Sequence, residues 1–245
     1  MIPKIIHYCW FGQGEMPELV LRCIESWRKN LPNYTLHLWS EDNFEIASAP
    51  QYVREAYAAK KYAFVSDYVR LWALEREGGV YLDTDVEVLK SFDSLLDDIA
   101  FIGLEESLAL LPGTCVMGCE AHCQWVRDMI AIYDNAKFLR EDGSLDLTTN
   151  VQRLGVKMVK GGLQHERRIQ YLPQWGLRVY THDYFSPITS TRVMRKTKNT
   201  YCIHRFAGTW VDGKKGGIRN CWIVREGINL LVQIKRLFRG HGANK

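Results

Sequence analysis

The chain has 245 residues, 47% hydrophobic and 24% charged, which suits one large domain or two small ones around a real core. No run of 18 uninterrupted apolar residues is present, which excludes a membrane-spanning helix, and no low-complexity tract or linker breaks the chain. The net charge of +4 is uneven: residues 214–245 carry eight Lys/Arg against one acid, Glu226, so the basicity belongs to the tail. The start of the chain lacks the long apolar stretch and cleavage site of a leader. Seven cysteines, an odd number without scaffold-like spacing, favour reduced thiols and a cytoplasmic protein. Cys115, Cys119 and Cys123 fall four apart beside His122 but form no C-x-x-C pair, so buried thiols are favoured over zinc.

In chain order, Lys4 to Trp10 reads as a first strand, and Phe11-Gly12-Gln13-Gly14 as a loop. Pro17 to Arg28 is a helical pattern with Leu19, Cys23 and Trp27 on one face. A strand over Tyr34 to Trp39, a helix over 51–59 and a longer helix over Tyr62 to Glu77 follow. Gly78-Gly79 reads as the stop of that helix, and Val80-Tyr81-Leu82 as a buried strand. This strand–helix alternation predicts an α/β fold with a mostly parallel sheet, which binds ligands at the carboxyl ends of its strands. Further on, strands are predicted over 99–103, 114–118, 169–172, 177–180 and 200–204, with helices over 123–138 and 150–160. Ile223 to Phe238 is an amphipathic basic helix.

Three clusters could carry chemistry. Asp83-Thr84-Asp85 sets two carboxylates at the end of the buried strand, where two hard oxygen ligands suit Mg²⁺ or Mn²⁺ with attached phosphates. Asp is a poor strand former, and the alternative is a solvated turn. Asp67 and Arg70 lie at i, i+3 on the preceding helix, as either a surface ion pair or a carboxylate for sugar hydroxyls with a guanidinium for phosphate. His204 ends a strand and is followed by Thr209, Trp210, Lys214 and Lys215, which could supply a metal ligand and donors for a diphosphate.

Together these blocks resemble the DxD-containing sugar transferases of glycosyltransferase family 32. The resemblance rests on Ile2 to Gly12, Trp27 to Pro32, Tyr34 to Trp39, Ala63 to Arg70 running into Gly78 to Asp85, and His204 to Trp210. It covers the first ninety or so residues well and the rest thinly. It implies a GT-A fold, a nucleotide-sugar donor, a divalent cation and retention of anomeric configuration. By position it implies Trp10 and Phe11 near the nucleobase, Asp67 and Arg70 at the donor sugar, and Asp83 on ribose or metal. Asp85 and His204 would join the metal, with Thr209, Trp210 and Lys214 on the diphosphate. Thr209 stands where the family often has Ser, and the hydroxyl is kept. The predicted catalytic residues are Asp67, Arg70 and Asp85, and the predicted metal ligands are Asp83, Asp85 and His204. No general base is assigned; were the product inverted, Glu105 or Glu106 would be the first candidate.

The expected organisation is a GT-A domain over 1–222, with a donor part (1–104) and an acceptor part (105–222), followed by a basic helix and tail (223–245). The expected reaction moves a hexose or N-acetylhexosamine, from a UDP-sugar in preference to GDP-mannose, to a glycan. The acceptor is expected to be linked to undecaprenyl diphosphate, in bacterial capsule or O-antigen synthesis. A cytoplasmic enzyme touching the inner face of the plasma membrane through its tail fits that role, and no nucleic-acid motif accompanies the basic stretch. The rival readings are a haloacid-dehalogenase-type phosphatase, whose signature wants Thr or Val where Glu87 stands, and a non-catalytic sugar-binding protein on the same fold.

Overall fold

A computed structural model describes residues 1–105, 111–189 and 193–207. Its strands are β1 (Ile5–Cys9), β2 (Thr35–Trp39), β3 (Gly79–Leu82), β4 (Val86–Val88), β5 (Ala100–Glu105), β6 (Leu111–Cys119), β7 (Gln170–Leu172), β8 (Leu177–Tyr180) and β9 (Cys202–His204). Its helices are α1 (Glu18–Asn30), α2 (Gln51–Ala58), α3 (Tyr62–Glu77), α4 (Gln124–Ile130), α5 (Asn150–Lys160) and α6 (His182–Phe185). Seven strands form one sheet in the order β2-β1-β3-β6-β5-β8-β7. Five of them point the same way, and β6 and β7 run against the rest. Strands on both sides of residue 104 share this sheet. No described helix is long and apolar enough to cross a membrane.

Side-chain alternation along the strands feeds two apolar layers, one on each face of the sheet. Ile6, Tyr8, Val80 and Leu82 join Trp27 of α1 on one side, while Cys9, Tyr81, Ala100 and Ile102 join α2 to α5 on the other. Helix α3 is buried over most of its circumference because α2, α4 and β1 all pack against it. That enclosure explains why Asp67 and Arg70 lie inside rather than on a solvated face.

The end of α3 follows the sequence expectation. Gly78 (φ +64°) and Gly79 (φ +99°) turn the chain from helix into β3. A Cβ on Gly78 would lie 2.6 Å from the Ala121 nitrogen, and one on Gly79 would lie 2.8 Å from the Ile5 carbonyl. The buried His7 ring secures the same corner. Its Nε2–H donates to the Gly78 carbonyl at 2.8 Å, while Nδ1 accepts from Trp39 Nε1 at 3.1 Å.

Two departures stand out. The helix expected over 123–138 is α4 followed by a short 3-10 turn (Ala131–Tyr133), because Asp134 and Asn135 favour a turn and Phe138 folds back against Tyr52 and Phe64. Strand β4 was not foreseen, and it forms a separate two-stranded sheet with β9. Side chains of α1 cover its other edge. Trp27 Nε1 donates to Val86 O at 2.6 Å, Val88 N to Ser26 Oγ at 2.9 Å, and Asn30 Nδ2 to Val88 O at 2.9 Å. An exposed strand edge is thereby satisfied. The chain around Asp83-Thr84-Asp85 is therefore held by strands on both sides.

Candidate functional site

The site forms at the carboxyl end of β3. Asp83 leaves the strand with its backbone N–H bonded to the Cys115 carbonyl at 2.9 Å, and Val86 N–H closes a turn onto the Asp83 carbonyl at 3.0 Å. In the β4–β9 pairing, Val86 stands opposite His204, which brings His204 beside Asp85. The ligand atoms of Asp83, Asp85 and His204 lie within 4.8 Å of one another. Two carboxylates and an imidazole at that spacing fit one divalent cation.

Each carboxylate of the pair has its own partner. Asp83 Oδ1 is 3.0 Å from Arg70 Nη1 and accepts from Tyr81 OH at 3.0 Å. Asp85 faces His204 Nε2 at 3.4 Å through Oδ1 and accepts the Ala207 N–H at 2.8 Å through Oδ2. Burial raises the pKa of Asp83 even against the opposing Arg70 charge. Burial also opposes ionisation of Asp85, but His204 and the Ala207 N–H outweigh it and lower the pKa. Burial likewise disfavours a charge on His204, yet Cys115 and Asp85 beside it raise the imidazole well above its ordinary value. The Phe206 ring lies 4.0 Å from the His204 ring, centroid to centroid.

Arg70 is the hub behind this pair. Its Nη2 meets Asp67 Oδ1 at 2.9 Å, Nη1 also donates to the Thr114 carbonyl at 2.8 Å, and Nε donates to Ser66 O at 3.2 Å. Its guanidinium sits 4.5 Å over the Tyr81 ring. The Thr114 carbonyl is available because the β5–β6 register shifts between Ile102 and Gly103, which leaves residues 114–116 unpaired with β5. Asp67 Oδ2 accepts the Asn150 N–H at 3.1 Å, and Asn150 Nδ2 donates to the Asp67 carbonyl at 3.2 Å. This ties the start of α5, itself closed by a Thr149–Gln152 capping box, to α3. Burial pushes the Asp67 carboxyl up to about 6 despite Arg70.

The other expected residues divide as follows. Trp10 is half-buried and donates Nε1–H to Gly14 O at 2.6 Å, while the Phe11 ring is buried against Phe44 with centroids 6.1 Å apart. Of the two, only Trp10 keeps partial exposure, just past the end of β1. Thr209, Trp210, Lys214, Glu106 and the helix expected over 223–238 lie outside the described residues. Cys119 and Cys123 lie in one apolar layer, where Cys119 Sγ donates to Leu74 O at 3.7 Å, whereas Cys115 lies in the opposite layer near His204, so the three thiols do not converge. His7, His37 and Glu77 also cluster within 4.8 Å, but both nitrogens of His7 are already committed to Trp39 and Gly78. Two contributors went unforeseen. Tyr81 and Asn150 touch the acidic groups directly.

Comparison with known proteins agrees with this geometry. Residues 17–102 match the family described as glycosyltransferase sugar-binding region containing DXD motif. Inositol phosphoceramide mannosyltransferase 3 of Schizosaccharomyces pombe is 33% identical over 104 residues, covering 41% of this chain. The matched region spans only 29% of that relative's length. Among solved structures, a glycosyltransferase involved in the glycosylation of the major capsid of PBCV-1 superposes with a TM-score of 0.50 at 12% identity, over 94% of this chain and all of the other. PaToxG glycosyltransferase superposes with a TM-score of 0.49 at 18% identity, over 66% of this chain and 72% of its own. The likeness to the PBCV-1 protein is one of fold, and the mostly parallel sheet flanked by helices is the α/β arrangement expected of GT-A. The match over residues 17–102 is consistent with the expected likeness to glycosyltransferase family 32.

Proposed function

We propose that this glycosyltransferase domain moves a hexose or N-acetylhexosamine from a nucleotide sugar to a glycan acceptor, with retention of anomeric configuration. The observation that carries this reading is the convergence of Asp83, Asp85 and His204 at the end of β3, with Asp67 and Arg70 directly behind them. Asp85, His204 and, on its free side, Asp83 would hold Mn²⁺ or Mg²⁺. A divalent cation there neutralises charge that develops on the leaving nucleoside diphosphate. Arg70 keeps Asp83 oriented and opposes the burial that raises the Asp67 carboxyl, and Asp67 would bond donor-sugar hydroxyls. Trp10 would lie against the nucleobase, and Thr209, Trp210 and Lys214 would meet the diphosphate.

Asp83 is engaged by Arg70 and Tyr81 rather than presented as a free nucleophile, which disfavours a phosphatase of the aspartyl-phosphate type. A UDP-sugar is the favoured donor. The mannosyltransferase named above makes GDP-mannose the competing one. Calorimetry with Mn²⁺ against UDP, GDP and their sugars decides between them: UDP-sugar binding and transfer support the proposal, and binding of GDP-mannose alone would replace its donor. Release of inorganic phosphate from monoesters, with no sugar transfer, would overturn the transferase reading.

The acceptor we propose is a lipid-linked oligosaccharide, such as one carried on undecaprenyl diphosphate, in bacterial surface-polysaccharide synthesis. The basic residues beyond 214 support a peripheral contact with anionic lipid on the cytoplasmic face, at about 1 kcal/mol per Lys/Arg near the surface. Flotation with anionic liposomes, with and without residues 223–245, tests this; equal binding by both forms would remove the membrane contact.

A further inference from the structure

Glu105 closes β5 with its carboxylate on the far side of the His204 ring from Asp85. Its Oε1 accepts from His204 Nδ1 at 3.0 Å, while His204 Nε2 faces Asp85 at 3.4 Å. Both side chains are largely enclosed, at 14% and 13% exposure, so the contact is not one that water readily replaces. The space for Glu105 is set by the neighbouring strand. Gly113 of β6 has no side chain, and a Cβ there would lie 2.7 Å from Glu105 Cγ and 3.3 Å from Oε1. The Cys115 thiol lies beside the same ring, with its sulfur within 4.8 Å of the Glu105 and His204 ligand atoms.

An imidazole that donates one N–H to a carboxylate presents its other nitrogen as a ligand in a fixed direction, and such outer partners raise ligand basicity. We propose that Glu105 is a positioning residue for the cation site: it holds the proton of His204 on Nδ1, so that Nε2 is the nitrogen turned to the ion beside Asp85. The carboxylate that looks in sequence like a spare base is thus engaged in orienting a ligand. This rests on the metal–diphosphate reading given above.

The test measures Mn²⁺ affinity, by electron paramagnetic resonance of the free ion with and without UDP, in the full-length protein. Glu105→Met keeps the side-chain volume and removes the acceptor, Glu105→Gln keeps an acceptor oxygen, and Asp85→Ala reports on the site itself. The expected result is Mn²⁺ affinity about 10–100-fold weaker in Glu105→Met, with most of it restored in Glu105→Gln. In the Mg²⁺-loaded protein, ¹⁵N spectra of His204 should show Nδ1 protonated in the wild type and in Glu105→Gln. Glu105→Met should lose that preference. Wild-type Mn²⁺ affinity in Glu105→Met, while Asp85→Ala loses it, would overturn the positioning role and leave the metal reading intact. Absence of Asp85-dependent Mn²⁺ binding in the wild type would overturn both. Should Glu105→Met not fold, a Glu105→Gln protein in which His204 Nδ1 is unprotonated would overturn the proposal by itself.

Discussion

Arg70 and Asp83 meet at 3.0 Å, joining the middle of α3 to the residue that follows β3. Because Arg70 also holds Asp67 at 2.9 Å, one buried cation serves two acids that would otherwise repel each other. Removing it leaves both carboxylates buried without a counter-charge, which typically costs about 3–5 kcal/mol. Arg70→Met should show that loss in urea unfolding. A change under about 1 kcal/mol, on the scale of an exposed pair, would mean that the carboxylates are solvated after all.

Asp85 is the carboxylate shared by His204 and the Ala207 N–H, and among the described residues no arginine pairs with it. Asp85→Ala should weaken Mn²⁺-dependent UDP binding by more than the 10–100-fold or so expected from losing an outer partner. Calorimetry with and without chelator gives the comparison. Retained metal-dependent binding would place the ion elsewhere.

Asp67 gives a pH signature. Its pKa is raised from the ordinary carboxylate value of 3.8 to about 6, so the fold favours the protonated form. This contribution to stability is complete below the ordinary value and is lost as pH rises through about 6. At about 1.4 kcal/mol per pH unit it amounts to about 3 kcal/mol. Wild-type stability relative to Asp67→Asn should therefore fall between pH 4 and pH 7 in paired urea titrations. A pH-independent difference would show that Asp67 titrates like an exposed acid.

Gly12 (φ +96°) turns the loop after Trp10, and its N–H donates at 2.7 Å to Glu41 Oε1, which also accepts from Tyr57 OH. A Cβ there would fall 2.3 Å from Tyr62 Cε2. Gly12→Ala should displace the loop at a local cost of about 1–3 kcal/mol. With Trp10 moved, UDP affinity should drop about tenfold, equivalent to about 1.4 kcal/mol, while Mn²⁺ affinity without nucleotide stays unchanged. Equal UDP affinity would take Trp10 out of the nucleotide site.

What was legible in the chain was what is determined locally. The Gly78-Gly79 stop, the full span of α3 and the bounds of α5 follow from glycine conformation, apolar periodicity and a capping box. Asp83 and Asp85 were visible because acids are uncommon at a strand end, and Asp67 and Arg70 because they lie on the helix just before that strand. Strand β4 was not, since three residues gain their strand geometry only from β9 and from the side chains of α1. The grip of Glu105 on His204 was hidden for a similar reason. It depends on a register shift in β5–β6 and on the missing side chain of Gly113.

The β4–β9 pairing makes the site a test of whether the chain has been completed. Both carboxylates are synthesised early, but His204 arrives from the far end of the described chain. A slip of two residues in that ladder would carry His204 about 7 Å along the strand, out of reach of Asp85. A nascent or truncated chain would thus own the acidic motif yet hold a cation poorly. Tight ion binding becomes a property that only the finished fold acquires.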